Sequence, residues 1–158
     1  MVIKIDLCRR IKMNKSYLEP TQAAAQHLFM RNLSGPIVML NLLRFREWAD
    51  YSDFPDVAPI RPISGRAAYQ RYIDETLPFL EATGGEILFL GDGGAYFIGP
   101  ETEQWDLVMM IKQNSLSDFF GFASNEAYQQ VLRHRTAALR DSRLLPIQQH
   151  SGTVIEST

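Results

Sequence analysis

The chain has 158 residues, of which 46% are apolar and 22% charged, with a formal net charge of −2. That length and balance suit one soluble globular domain with a real core, and they exclude a disordered chain or a coiled coil. No apolar run approaches the roughly 20 residues of a membrane-spanning helix, and the mild negative charge gives no general reason to expect nucleic acid as a partner.

The single cysteine, Cys8, excludes an internal disulfide and a cysteine-based metal cluster. It fits a reducing, cytoplasmic setting. Charge is uneven along the chain. Residues 1–15 carry Lys4, Arg9, Arg10, Lys12 and Lys15 against Asp6, so the remainder holds 11 basic and 17 acidic residues. Residues 1–18 are expected to be a basic tail that lacks the long apolar core of a signal peptide. Residues 19–150 are expected to form one domain, and 151–158 a C-terminal tail.

The predicted elements follow in chain order. Residues 20–31 are rich in helix formers, with Pro20 or Thr21 at the start. Ser34-Gly35-Pro36 ends that pattern and launches a strand to Phe45. This strand, Ile-Val-Met-Leu-Asn-Leu-Leu-Arg-Phe, is apolar on both parities, which implies burial on both faces. Its two polar residues, Asn41 and Arg44, are three apart and therefore point to opposite faces. Residues 46–63 form a long loop with three prolines and the aromatics Trp48, Tyr51 and Phe54, composition suited to a packed flap.

Ser64 is a candidate N-cap for a helix to about Thr83, whose inner face carries Tyr69, Tyr72, Ile73, Thr76, Leu77 and Leu80. Gly84-Gly85 stops it. Strands are predicted over 86–90 and 105–111, with turns and extended chain between them. Ser115-Leu-Ser-Asp118 has the form of a capping box before a short Phe-rich helix. Ser124 or Asn125 caps a further helix to about Leu139. A weaker last strand covers 144–149, where Pro146 suits an edge position.

Without the leading helix the order is β–α–β–β–α–β, the ferredoxin-like α+β fold: an antiparallel sheet with both helices on one face. Strands apolar on both parities then need a cover on the other face. A second copy, packed sheet to sheet as a homodimer, supplies it.

The residues assembled so far resemble the DUF1330 family of dimeric α+β barrel proteins. The likeness rests on Pro36-Ile-Val-Met-Leu-Asn-Leu-Leu-Arg-Phe-Arg46, Ser64-Gly-Arg-Ala-Ala-Tyr69, Gly84-Gly85, Ile98-Gly-Pro-Glu101, Trp105-Asp106 and His134-Arg-Thr-Ala-Ala-Leu-Arg-Asp-Ser-Arg143. It implies a ferredoxin-like fold and a face-to-face dimer, and no particular activity.

Chemistry is expected at a handful of side chains. His134 falls with Ala127, Val131 and Ala138 on an inward helix face, where an imidazole could move a proton near neutral pH or simply bond a core carbonyl. Asn41 suits a carbonyl or enolate, and Arg44 a carboxylate. Either could equally be satisfied by a neighbour. Trp105 offers a flat apolar wall, Asp106 a base or ion-pair partner, and Tyr69 an inward hydroxyl. Arg135, beside His134, is placed among the ligand-binding groups. The three histidines lack metal-ligand spacing, and no phosphate loop or nucleophile elbow occurs. The expected function is a cofactor-free enzyme, isomerase-like or oxygenase-like, acting on a small carbonyl- or carboxylate-bearing molecule with the 46–63 loop as lid. The alternative is a non-catalytic ligand-binding or structural homodimer.

Overall fold

The computed structural model describes residues 15–150. The tail expected over 151–158, and all of the basic tail before Lys15, lie outside the described residues.

Among the described residues eight elements follow one another: α1 (Gln22–Met30), β1 (Ile37–Phe45), α2 (Gly65–Ala82), β2 (Glu86–Asp92), β3 (Leu107–Gln113), α3 (Leu116–Ala123), α4 (Glu126–Ala138) and β4 (Leu139–Gln148). The strands form one antiparallel sheet in the order β2-β3-β1-β4, and α2 packs on α4. This is the ferredoxin-like α+β fold predicted from the element order.

Local chemistry sets the boundaries. Each helix starts at a side chain that accepts an otherwise orphaned backbone N–H: Thr21 from Ala24, Ser64 from Ala67, Ser115 from Asp118, and Asn125 from Tyr128. Helix α2 runs through Pro78 to Ala82, and Gly84, at φ +75°, makes the left-handed turn that releases the chain into β2. Gly65 is required for a different reason. A Cβ there would collide with the carbonyl oxygens of Arg46 and Ala138, because three backbone segments meet at this point.

The parity argument for β1 holds. Ile37, Met39, Asn41 and Leu43 are buried on the helix side, with Leu107, Met109, Ile111 and Gln113 of β3 facing the same way. Val38, Leu40, Leu42 and Arg44 turn to the other face, which none of the described helices covers. Beside them on that face stand Val108, Met110, Phe89, Leu145 and Ile147.

Strand β4 is longer than expected. It begins at Leu139, directly after α4, and pairs along all of β1 with a shift between Arg44 and Phe45. Pro146 lies on this edge strand, where a missing N–H costs no ladder bond. Residues 46–63 are a packed flap: the backbone N–H groups of Arg46 and Asp50 donate to the carbonyls of Ala138 and Ala137, and Tyr51, Phe54, Val57 and Ile63 lie against the core. Trp48 and Ile60 stay exposed. Residues 95–99 give a single bridge, Ala95 to Gln104, in place of extended pairing.

Candidate functional site

A cavity of about 980 Å³ lies on the helix side of the sheet and is mostly apolar. Its floor is the buried face of β1 and β3, including Met39, Asn41, Met109, Ile111 and Gln113. Tyr128, Leu132 and Arg135 of α4 form one wall, and phenylalanines of α3 another. The cover is α1 with residues 17–20. Helix α1 buries none of its residues although Ala24, Ala25 and Leu28 face the cavity. The 46–63 flap, expected to be the lid, contributes no lining residue and rests instead against α4.

Arg135 is the charged group that stands out in this wall. Its Nη1 donates to the Leu18 carbonyl at 2.6 Å and its Nη2 to the Ser142 hydroxyl at 3.2 Å. Both acceptors are neutral, and among the described residues Arg135 forms no ion pair. A half-buried guanidinium with only neutral partners keeps its whole charge, so the cavity favours an anion. Two other arginines line it: Arg31, which is exposed, donates to the Pro146 carbonyl at 2.9 Å, and Arg143 pairs with Asp141 at 2.8 Å. Glu19 is the acidic residue of the lining.

The floor carries two amides. Asn41 donates its Nδ2 to the Met39 carbonyl at 3.2 Å within its own strand. Gln113 is 1% exposed, and its Oε1 is buried without a partner among the described residues. In the wall, the Tyr72 and Tyr128 hydroxyls are 2.7 Å apart and share a hydrogen bond. Burial first, and the neighbouring Tyr72 second, push the Tyr128 hydroxyl far above its ordinary pKa, so it stays protonated and available as a donor.

Of the residues singled out from sequence, Asn41, Arg135 and the inward-facing Tyr72 line this cavity, and His134, Arg44, Trp105, Asp106 and Tyr69 do not. His134 lies one residue from Arg135 but about 100° around the helix, facing α2 and the flap. Its Nδ1 is 2.8 Å from the Tyr51 hydroxyl, and its Nε2 is 3.5 Å from Glu75. Burial holds the imidazole below its ordinary pKa; the Glu75 carboxylate opposes this, and Arg71 adds to it. Tyr69 belongs to a separate, smaller hollow of about 230 Å³ beside Arg66 and Asp92, and burial keeps its hydroxyl protonated.

Arg44 and Trp105 meet each other on the opposite side of the sheet, with the guanidinium 5.3 Å from the indole centroid and its Nε donating to the Gln104 carbonyl. Arg143 stacks on the same indole at 5.0 Å. Asp106 accepts the Phe45 N–H at 2.7 Å, a bond that ties β1 to the start of β3. His134, Arg44 and Trp105 therefore do not converge on one cavity.

Sequence reasoning missed Gln113 and Ser142. Gln113 shows the same signal as Asn41, a lone amide on the buried parity of an apolar strand, but the strand was read only to Ile111. Ser142 lies in a polar stretch, Arg140-Asp-Ser-Arg143, with no apolar pattern to mark it as buried.

Among the described residues no group of three or more His, Cys, Asp or Glu could hold a metal ion, and no helix is long and apolar enough to cross a membrane. No family model and no curated protein matches the chain. Solved structures do. A dimeric ferredoxin-like protein of unknown function from Thermobifida fusca aligns at 12% identity and a TM-score of 0.43, over 73% of this chain and 92% of that one. The methylated form of the protein RPA0582 aligns at 31% identity and a TM-score of 0.76, over 87% of this chain and 98% of its own. RPA0582 itself, a protein of unknown function from Rhodopseudomonas palustris, aligns at 30% identity and a TM-score of 0.76, over 87% of this chain and 100% of its own. The chain belongs to the family of RPA0582.

Proposed function

We propose that this protein binds a small apolar molecule bearing a carboxylate in the cavity between the sheet, α4 and α1. The observation that carries this is Arg135, a charged group with neutral partners only, set in an otherwise apolar wall. A carboxylate there would gain a charge-assisted hydrogen bond in a partly dry setting, and the apolar body would bury against Met39, Met109 and Ile111. Asn41, from the floor, would take a carbonyl or the second carboxylate oxygen.

Binding comes ahead of cofactor-free isomerase or oxygenase chemistry, because His134, the residue expected to move the proton, lines neither cavity. The working unit is a homodimer, with the open face of Val38, Leu40, Leu42 and Met110 meeting its copy. The sequence likeness quoted above supports placing the chain in DUF1330, and the lone Cys8 supports a reducing cytoplasm.

The test is calorimetric titration with short straight-chain and aryl carboxylates. Binding that falls about tenfold or more in Arg135→Met supports the site. Binding unaffected by that change, or no binding by any carboxylate, overturns it.

A further inference from the structure

The cavity has two polar ends, and they are far apart. Ser142, which accepts from Arg135, lies opposite Leu43 in the sheet; Gln113 lies opposite Ile37. Six residues of β1 separate those rows, about 20 Å at ~3.3 Å per residue. Between them the floor carries Asn41, one row in from Ser142, with Met109 and Leu144 beside it, and then Met39, Ile111 and Pro146. The lining therefore has a polar end of Arg135, Ser142 and Asn41, an apolar floor of Met39, Ile111 and Pro146 over which the exposed Arg31 reaches, and an amide end at Gln113.

The amide end is unsatisfied. Gln113 is almost completely buried, its Oε1 has no partner among the described residues, and its side chain lines the cavity. Leaving a buried amide oxygen without a donor is unfavourable, because the water it gave up is not replaced. An apolar residue would fill the position without that cost, as Ile111 and Met109 do two and four positions before it. A ligand group that donates a hydrogen bond to Gln113 removes the penalty. A hydroxyl fits whichever way the amide is turned, because it can both donate and accept.

We infer that the ligand is an elongated apolar carboxylate carrying a hydroxyl, or a comparable donor, at the end remote from its carboxylate. This rests on the carboxylate-binding function proposed above and adds a second recognition point. Arg135 selects the charged head, the methionine and isoleucine floor sets the length, and Gln113 selects a polar terminus over a methyl one.

The experiment compares a homologous series of straight-chain carboxylates with their ω-hydroxy counterparts of equal length, titrated into the wild-type protein, Arg135→Met and Gln113→Met. The expected result is one chain length at which the ω-hydroxy acid binds about tenfold tighter than the plain acid. Gln113→Met should abolish or reverse that preference while leaving the plain acids bound as tightly as before or tighter. Arg135→Met should weaken both series together. If carboxylates bind through Arg135 but no length shows a hydroxyl preference, or Gln113→Met leaves the preference intact, the second recognition point is wrong and the carboxylate site stands. If neither series binds the wild type, or Arg135→Met changes nothing, the carboxylate site itself is wrong. Circular dichroism of both variants separates loss of binding from loss of fold.

Discussion

The Tyr51 hydroxyl and His134 Nδ1, 2.8 Å apart, join the 46–63 flap to the middle of α4. The imidazole is neutral, so Nδ1 accepts the phenolic proton and Nε2–H points at Glu75, 3.5 Å away. Protonation would turn Nδ1 into a donor and leave Tyr51 with nothing to donate to. An unfolded histidine titrates near pH 6.5, and burial holds His134 below that. As pH falls through about 6.5, the unfolded chain takes up a proton that the folded chain refuses, so stability is full above that pH and lost below it. The melting temperature should fall between about pH 7 and pH 5, and His134→Gln should flatten the slope in that window. A slope unchanged in the variant would show that His134 is not the group responsible.

Tyr51→Phe tests the same link without changing a charge. It leaves Nδ1 buried without a donor, at a cost of about 1–3 kcal/mol. Hydrogen exchange should show faster opening at the Asp50 amide, which donates to Ala137 next to this contact. Protection that matches the wild type at Asp50 would mean the flap is held by its apolar packing alone.

His134 also shows what could and could not be read from the sequence. Helical spacing placed it inward with Ala127, Val131 and Ala138; Val131 and Ala138 are buried with it, and Ala127, in the first turn, is exposed. Periodicity does not say which neighbour an inward face meets. Here that face meets α2 and the flap, while Tyr128, Leu132 and Arg135, one step round the helix, meet the cavity. The four strands and their order were legible because β1 and β3 are apolar on both parities and the helix signals between strands are strong. The start of β4 was not. Leu139-Arg-Asp-Ser-Arg143 has no apolar alternation, and its pairing with β1 is decided by tertiary packing. The role of α1 as cavity cover was equally out of reach, since a helix that buries nothing carries no strong amphipathic signature.

Gly65 should tolerate no side chain. Its Cβ position is occupied by the carbonyls of Arg46 and Ala138, and the Gly65 N–H itself donates to Arg46 at 3.1 Å. Gly65→Ala forces backbone apart where the flap, α2 and the end of α4 meet. Overpacking of this kind costs about 1–3 kcal/mol, so the melting temperature should drop by several degrees. An unchanged melting temperature would show that the junction can yield.

The open sheet face predicts an oligomeric state. Leu40 sits at its centre, between Met110 of β3 and Leu145 of β4. Leu40→Glu places a carboxylate in the middle of the proposed interface, where two copies would be desolvated face to face. The wild type should elute as a dimer at micromolar concentration in light-scattering measurements, and the variant as a folded monomer. A wild-type monomer sinks the homodimer, and a variant that remains dimeric moves the interface elsewhere.

Asn41 separates a binding role from a purely architectural one. If the amide served the fold, replacing it would destabilise the protein. Its one hydrogen bond among the described residues, to Met39 two positions back in the same strand, is 3.2 Å long and links no separate elements. Leucine has nearly the same reach, and removing a weakly satisfied buried amide in favour of an apolar group is close to neutral or stabilising. Asn41→Leu should therefore melt at or above the wild-type temperature, yet bind carboxylates more weakly, because the amide faces the cavity beside the groups that would hold the head. A variant that melts well below the wild type would return Asn41 to the core as a structural residue. A variant that is stable and binds as well as the wild type would leave Arg135 as the anchor and remove Asn41 from the site.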